Sequence, residues 1–228
     1  VELADPSPFA SGLVFAYVAQ FMYEGDAPLA ERRAQALTLD RRMLADLLGT
    51  DELRDLLDAG VLEELEAELQ ALAPDRRATS VEGVADLLRR VGDLSRDELA
   101  ARCDPPALAA EAAGAAPAAR RAVALRVAGE DRLVLAEDAA RYRDALGTVV
   151  PPGLPEALLD PVPDALVQLV RRWARTHGPF LSADPARRFG VGAADAVAVL
   201  DRLAGDGRVV KGAFRPGRQG REEWCDAE

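Results

Sequence analysis

One lysine, one histidine and two cysteines are spread over 228 residues, and each scarcity closes off a class of chemistry. Cys103 and Cys225 are too few for a disulfide framework and lack metal-site spacing. Even with His177 they cannot assemble a Cys/His zinc site. A reducing, cytoplasmic setting is the default expectation. No G-x-x-x-x-G-K-[ST], G-x-G-x-x-G or G-x-S-x-G occurs, and acid pairs such as Glu63/Glu64 read as solvated helix face. The chain therefore offers no catalytic constellation of its own, and no cofactor is expected within it. Long apolar runs are missing too. The charge-free stretch Pro8–Tyr23 has 16 residues, short of the roughly 20 that span a bilayer, and reads as a buried helix. No basic leader precedes it. The start on Val1 and the stop at Glu228, just after a hairpin pattern, point to a piece of a longer chain.

What is present is charge, unevenly placed. The formal net charge is -11, and residues 1–75 carry all of it, with 16 acids against 5 bases. Residues 76–228 hold 23 of each, and residues 165–221 hold 11 bases against 4 acids. An acidic front is joined to a basic back, so polyanion binding is excluded for the first and open for the second. The front reads as helical to about Leu72: Phe9, Leu13, Tyr17 and Phe21 recur at every fourth residue, and Leu-rich helical patterns come after them.

From Thr79 onward one pattern is written twice. "SVEGVADLLRRV" is an amphipathic helix, Ser95 with Glu98 forms a capping box for a second, and "PPALAAEAAG" is a short third. "AVALRV" and "RLVL" then alternate around a tight "AGED" turn. "AEDAARYRDALG" is a linking helix. After the proline-rich stretch "VVPPGLPEALLDPVP", "DALVQLVRRWARTHG" repeats the first helix, its "LVRRW" echoing "LLRRV". "SADPARRFG", with Ser182 as N-cap, is the second helix. "GAADAVAVLDRLAGDG", with Val197, Leu200 and Leu203 inward, is the third. "RVVKGAF" and "REEW" close a hairpin. The expectation is a mainly α fold: an acidic helical region at 1–75, a first winged-helix-like module with linking helix at 76–147, a linker at 148–163 and a second winged-helix module at 164–228.

A winged helix reads bases with its third helix and touches phosphate with its wing. The third helix of the second module shows Asp195 and Asp201 against one Arg202, so base reading is not expected. The cations sit elsewhere: Lys211, Arg215, Arg218 and Arg221 around the wing, and Arg171, Arg172 and Arg175 on the first helix. Long cations around a glycine-containing turn suit sequence-independent phosphate contact. The competing reading pairs these arginines with the acidic front or a second subunit. Trp173 and Trp224 have the spacing of core residues, and His177 that of a helix-end contact.

"PSPFASGLVFAYVAQFMYEGDAPLAERRAQAL" resembles the region that comes after the ATPase lobes in the bacterial large helicase-related (Lhr) proteins, as do "RTHGPF", "RFGV", "GRVVKGAFRPG" and "EWCDAE". The resemblance implies a superfamily 2 helicase that uses ATP and Mg to move along single-stranded DNA, in DNA repair, with its ATPase lobes upstream of these residues. It also implies likeness to winged-helix DNA glycosylases, whose active-site motif has no match here. On that footing the segment is an accessory part of a helicase that contacts single-stranded or duplex DNA nonspecifically and adjoins the ATPase core. The alternative is an architectural or oligomerising module that touches no DNA. A free-standing repressor is disfavoured by the acidic third helix.

Overall fold

The computed structural model describes residues 59–114, 122–215 and 221–228. The front through residue 58, with the stretch Pro8–Tyr23, lies outside the described residues, as does Arg218. Among the described residues the protein is mainly helical, with eight α-helices and two separate two-stranded antiparallel sheets. Leu57–Glu228 form one compact unit. α1 (Ala59–Leu69) therefore groups with the helices downstream of it, although it lies before the break expected at residue 75. Among the described residues no helix is long and apolar enough to cross a membrane.

Three helices and a hairpin then occur twice: α2 (Val81–Val91), α3 (Arg96–Ala101), α4 (Leu108–Gly114), β1 (Ala122–Val127) and β2 (Glu130–Leu135) form the first run. α5 (Ala139–Leu146) links it to α6 (Ala165–Ala174), α7 (Ala183–Phe189), α8 (Ala193–Gly205), β3 (Val209–Gly212) and β4 (Glu223–Asp226). Local signals set several boundaries. Ser95 and Glu98 make the reciprocal capping box, with Ser95 N–H donating to Glu98 at 2.8 Å and Glu98 N–H to Ser95 Oγ at 3.3 Å. Val127 pairs with Glu130, which leaves the two-residue turn Ala128–Gly129, both at positive φ. Two expectations are corrected. Ser182 precedes α7, but its hydroxyl caps nothing; the Asp184 carboxylate accepts the Leu181 N–H at 2.9 Å instead. Val197 faces outward at 36% exposure, and Ala196 joins Leu200 and Leu203 inside. The spacing 196, 200, 203 draws one stripe along the helix, and Val197 falls a further ~100° round.

The first hairpin is apolar on both faces. Val123, Leu125, Val127 and Val134 enter the core built by Leu169, Trp173, Phe180 and Leu200 of the second run. Leu133 and Leu135 enter the core of Val84, Leu88, Leu94 and Leu99 in the first. Its turn is docked as well: a Cβ on Gly190 (φ +66°) would come within 3.1 Å of Ala128 Cα. The proline-rich stretch expected as a linker lays Val150, Leu154 and Leu158 against the second run's core.

Polar groups bolt the two runs together. Asp93, 3% exposed, accepts the Tyr142 hydroxyl at 3.0 Å and Arg132 Nη1 at 2.7 Å, with Arg188 Nε 3.0 Å away. Arg188 also reaches Glu98 at 2.6 Å. Gln70, just past α1, donates to the Thr176 carbonyl at 2.6 Å, while Arg102 donates to its backbone and side-chain oxygens at 2.8 and 2.7 Å. Buried charges of this kind are tolerable only when paired and hydrogen-bonded, and the Asp93–Arg188 and Glu98–Arg188 pairs each draw one partner from either run.

Candidate nucleic-acid interface

The first helix of each run is amphipathic in the same phase. In α2 the buried Leu87, Leu88 and Val91 leave Arg89 and Arg90 outside. In α6 the buried Leu169, Val170 and Trp173 leave Arg171 and Arg172 half-buried at the corresponding positions. All four, with Arg175, line one open groove of about 950 Å³. Arg76 and Arg141 line it too, so among the described residues of the lining seven arginines meet three acids, Glu68, Glu137 and Asp138. Sequence reasoning singled out Arg171, Arg172 and Arg175 but not Arg76, Arg89, Arg90 or Arg141. The signal for two of these was the "LLRRV"/"LVRRW" echo.

The expected contact residues differ in how free they are. Arg172 is engaged inward: it pairs with Asp138, donates to the Tyr142 hydroxyl at 3.1 Å and lies 5.9 Å from that ring's centre. Arg175 is exposed and pairs with Glu228 at 3.2 Å. On the wing, Arg215 is fastened to the body, donating to the Pro179 carbonyl at 2.9 Å and to Glu66 at 2.7 Å. Its backbone N–H and that of Phe214 donate to the buried Glu223 carboxylate at 2.8 and 2.9 Å. Lys211 sits 3.0 Å from Glu222 and 5.1 Å from the centre of the Trp224 ring. Arg221 is exposed. The Arg215–Glu66 pair realises one part of the competing reading, since Glu66 belongs to the acid-rich first 75 residues.

Base reading finds no support on α8. Arg202, its one cation, is held by both oxygens of Asp164 at 2.7 and 2.8 Å. Trp173 and Trp224 are 7% and 3% exposed and cannot stack on bases. His177 stacks on Trp173 at 3.7 Å and lies 2.7 Å from the Trp173 carbonyl through Nδ1. Burial pushes its pKa down to about 4, against the opposing pull of the Trp173 carbonyl and Glu66. It is neutral at pH 7, a packing residue.

The sequence has known relatives. Residues 55–161 match the winged-helix domain of the large helicase-related proteins. Over 228 residues the chain is 48% identical to a Mycolicibacterium smegmatis protein described as an Lhr helicase and probable uracil glycosylase, covering 100% of this chain and 15% of that protein. It is 42% identical over 213 residues to an Escherichia coli Lhr helicase/uracil glycosylase, covering 92% of this chain and 14% of that one. The chain thus corresponds over its whole length to a segment of the large helicase-related proteins, and spans about 15% of the length of the curated relatives it matches.

Proposed function

We propose that this segment is an accessory part of an ATP-dependent superfamily 2 DNA helicase acting in DNA repair. It consists of two winged-helix modules that lie downstream of the ATPase lobes, contact nucleic acid without sequence specificity and link domains. ATP and Mg belong to the lobes, not to these residues. The observation that carries the reading is the division of cations. The third helix of the second run offers no free base-reading group, while arginines of the first helices of both runs gather along one groove. Cations that reach only phosphate give affinity without sequence preference. Arg171, Arg175, Lys211 and Arg221 supply such contacts, and Arg172 and Arg215 brace the surfaces that carry them. The match of the whole chain to a segment of a protein described as an Lhr helicase supports the helicase context.

A second reading, an architectural or oligomerising module, draws on the internal pairs Arg172–Asp138 and Arg215–Glu66. Fluorescence anisotropy with two unrelated sequences, each single-stranded and duplex, over a salt series decides between them, with mass in solution measured beside it. The expected result is binding that ignores sequence and weakens steeply with salt. No binding at low salt, together with a defined oligomer, establishes the second reading instead.

A further inference from the structure

We infer that the groove between α2 and α6 is a phosphate track, in which arginines from the first helices of both runs grip the backbone of one nucleic acid together. The inference rests on the nucleic-acid reading above and moves its centre from the wing to this groove. Arg89 and Arg90 occupy in α2 the positions that Arg171 and Arg172 occupy in α6; Arg172 is held by Asp138 and Tyr142, and the other three lie along the groove. The three acids of the groove are already held by its own arginines. Arg76 lies 3.5 Å from Glu68, Arg89 3.2 Å from Glu137, and Arg141 and Arg172 both hold Asp138. Among the described residues the lining sets seven guanidiniums against three neutralised carboxylates, and of the seven Arg175 also pairs with Glu228 outside it. Arg90 and Arg171, one from each run, have no ion-pair partner among the described residues.

The lining also bears on the ligand. Among the described residues it contains no aromatic ring, so these lack the stacking platforms on which single-strand binders hold bases, and their contacts go to the sugar-phosphate backbone. An acidic protein segment fits less well. Protein interfaces are anchored by apolar groups in a desolvated centre, and among the described residues the large apolar side chains here are only Leu65 and Leu69, at one side on α1. Guanidinium forks suit phosphate oxygens in pairs, and the polar joint through Asp93 and Tyr142 fixes the spacing of the two helices that carry them.

The test is the double variant Arg90→Ala/Arg171→Ala in the 228-residue chain, compared with Arg90→Lys/Arg171→Lys and the unaltered protein. Affinity for a duplex of about 20 base pairs and its single strand is read by anisotropy across a salt series, with thermal melting as a control. The alanine variant should melt like the unaltered protein. Its slope of log affinity against log salt on duplex should be shallower by nearly two units, about 0.9 per lost phosphate contact, equally for every sequence. The lysine variant should keep the slope. If the unaltered chain binds DNA and the alanine variant binds with the same slope, the track is wrong and the broader reading stands. If the unaltered chain binds no DNA, both fall. A changed melting temperature or mass with DNA affinity retained assigns these arginines to an acidic protein surface and overturns the proposal.

Discussion

The two hairpins share a sequence pattern and a place in their runs, yet one is an interior wall and the other a rim. β1–β2 has a valine face in one core and a leucine face in the other, and its turn rests on Gly190. In β3–β4, Val209 and Trp224 face inward while Val210 is 44% exposed. The difference lies in the second set of alternate positions. In β2, Leu133 and Leu135 give the sheet another apolar face, and a strand with two apolar faces must be covered twice. A winged-helix pattern therefore does not say whether its wing is free to meet a ligand. Here the first is consumed in joining the runs.

The strongest way to break that contrast is at the joint. Asp93→Asn leaves Arg132 and Arg188 buried without their shared counter-charge, and should cost about 3–5 kcal/mol in urea unfolding. Retained stability would show that the runs do not depend on it. Next comes the wall itself. Leu125→Ala, at 2% exposure, should cost about 2–5 kcal/mol, whereas Val210→Ala in the second hairpin should stay within about 0.5 kcal/mol. Equal losses at the two sites would erase the distinction between wall and rim. Gly190→Ala sharpens the same point, because it forces a side chain into positive φ and against the Ala128 backbone. A loss of at least about 1 kcal/mol is expected, and a melting curve matching the parent's would mean that the turn is not docked.

The smallest effect is set by pH. His177 is half-buried and neutral, beside Glu66 and within the field of Arg188 and Arg102, and its pKa falls from the ordinary 6.5 to about 4. Between those values the unfolded chain takes up a proton that the folded one refuses, so stability present above pH 6.5 is lost as pH falls toward 4. Glu98 acts in the same direction at lower pH: burial raises its pKa, but the Arg188 hydrogen bond and charge outweigh it. That contribution is present above the unfolded pKa and lost as pH falls through the folded one. His177→Gln should therefore flatten the decline in melting temperature between about pH 7 and pH 4.5; an unchanged decline would exclude His177 as its source.

Most of the local order of the described residues could be read in advance. The Ser95–Glu98 box, the Ala128–Gly129 turn and the outward arginines of "LLRRV" are short-range consequences of side-chain type and period. What escaped is long-range. Glu66 and Arg215 are 149 residues apart, and Asp93 and Arg188 meet across 95. No local signal tells an arginine that will be held internally, such as Arg172, from one left outward, such as Arg171. The groove itself depends on where α2 and α6 settle against each other, which the wall between the cores decides.

That wall also sets how a ligand of the groove is met. Two helices tied to one hairpin and one buried carboxylate cluster lose their relative freedom when the protein folds. The entropy of aligning the arginines is spent then, and little is left to lose on contact. The groove behaves as a ruler of fixed length, and whatever lies along it must bend to fit.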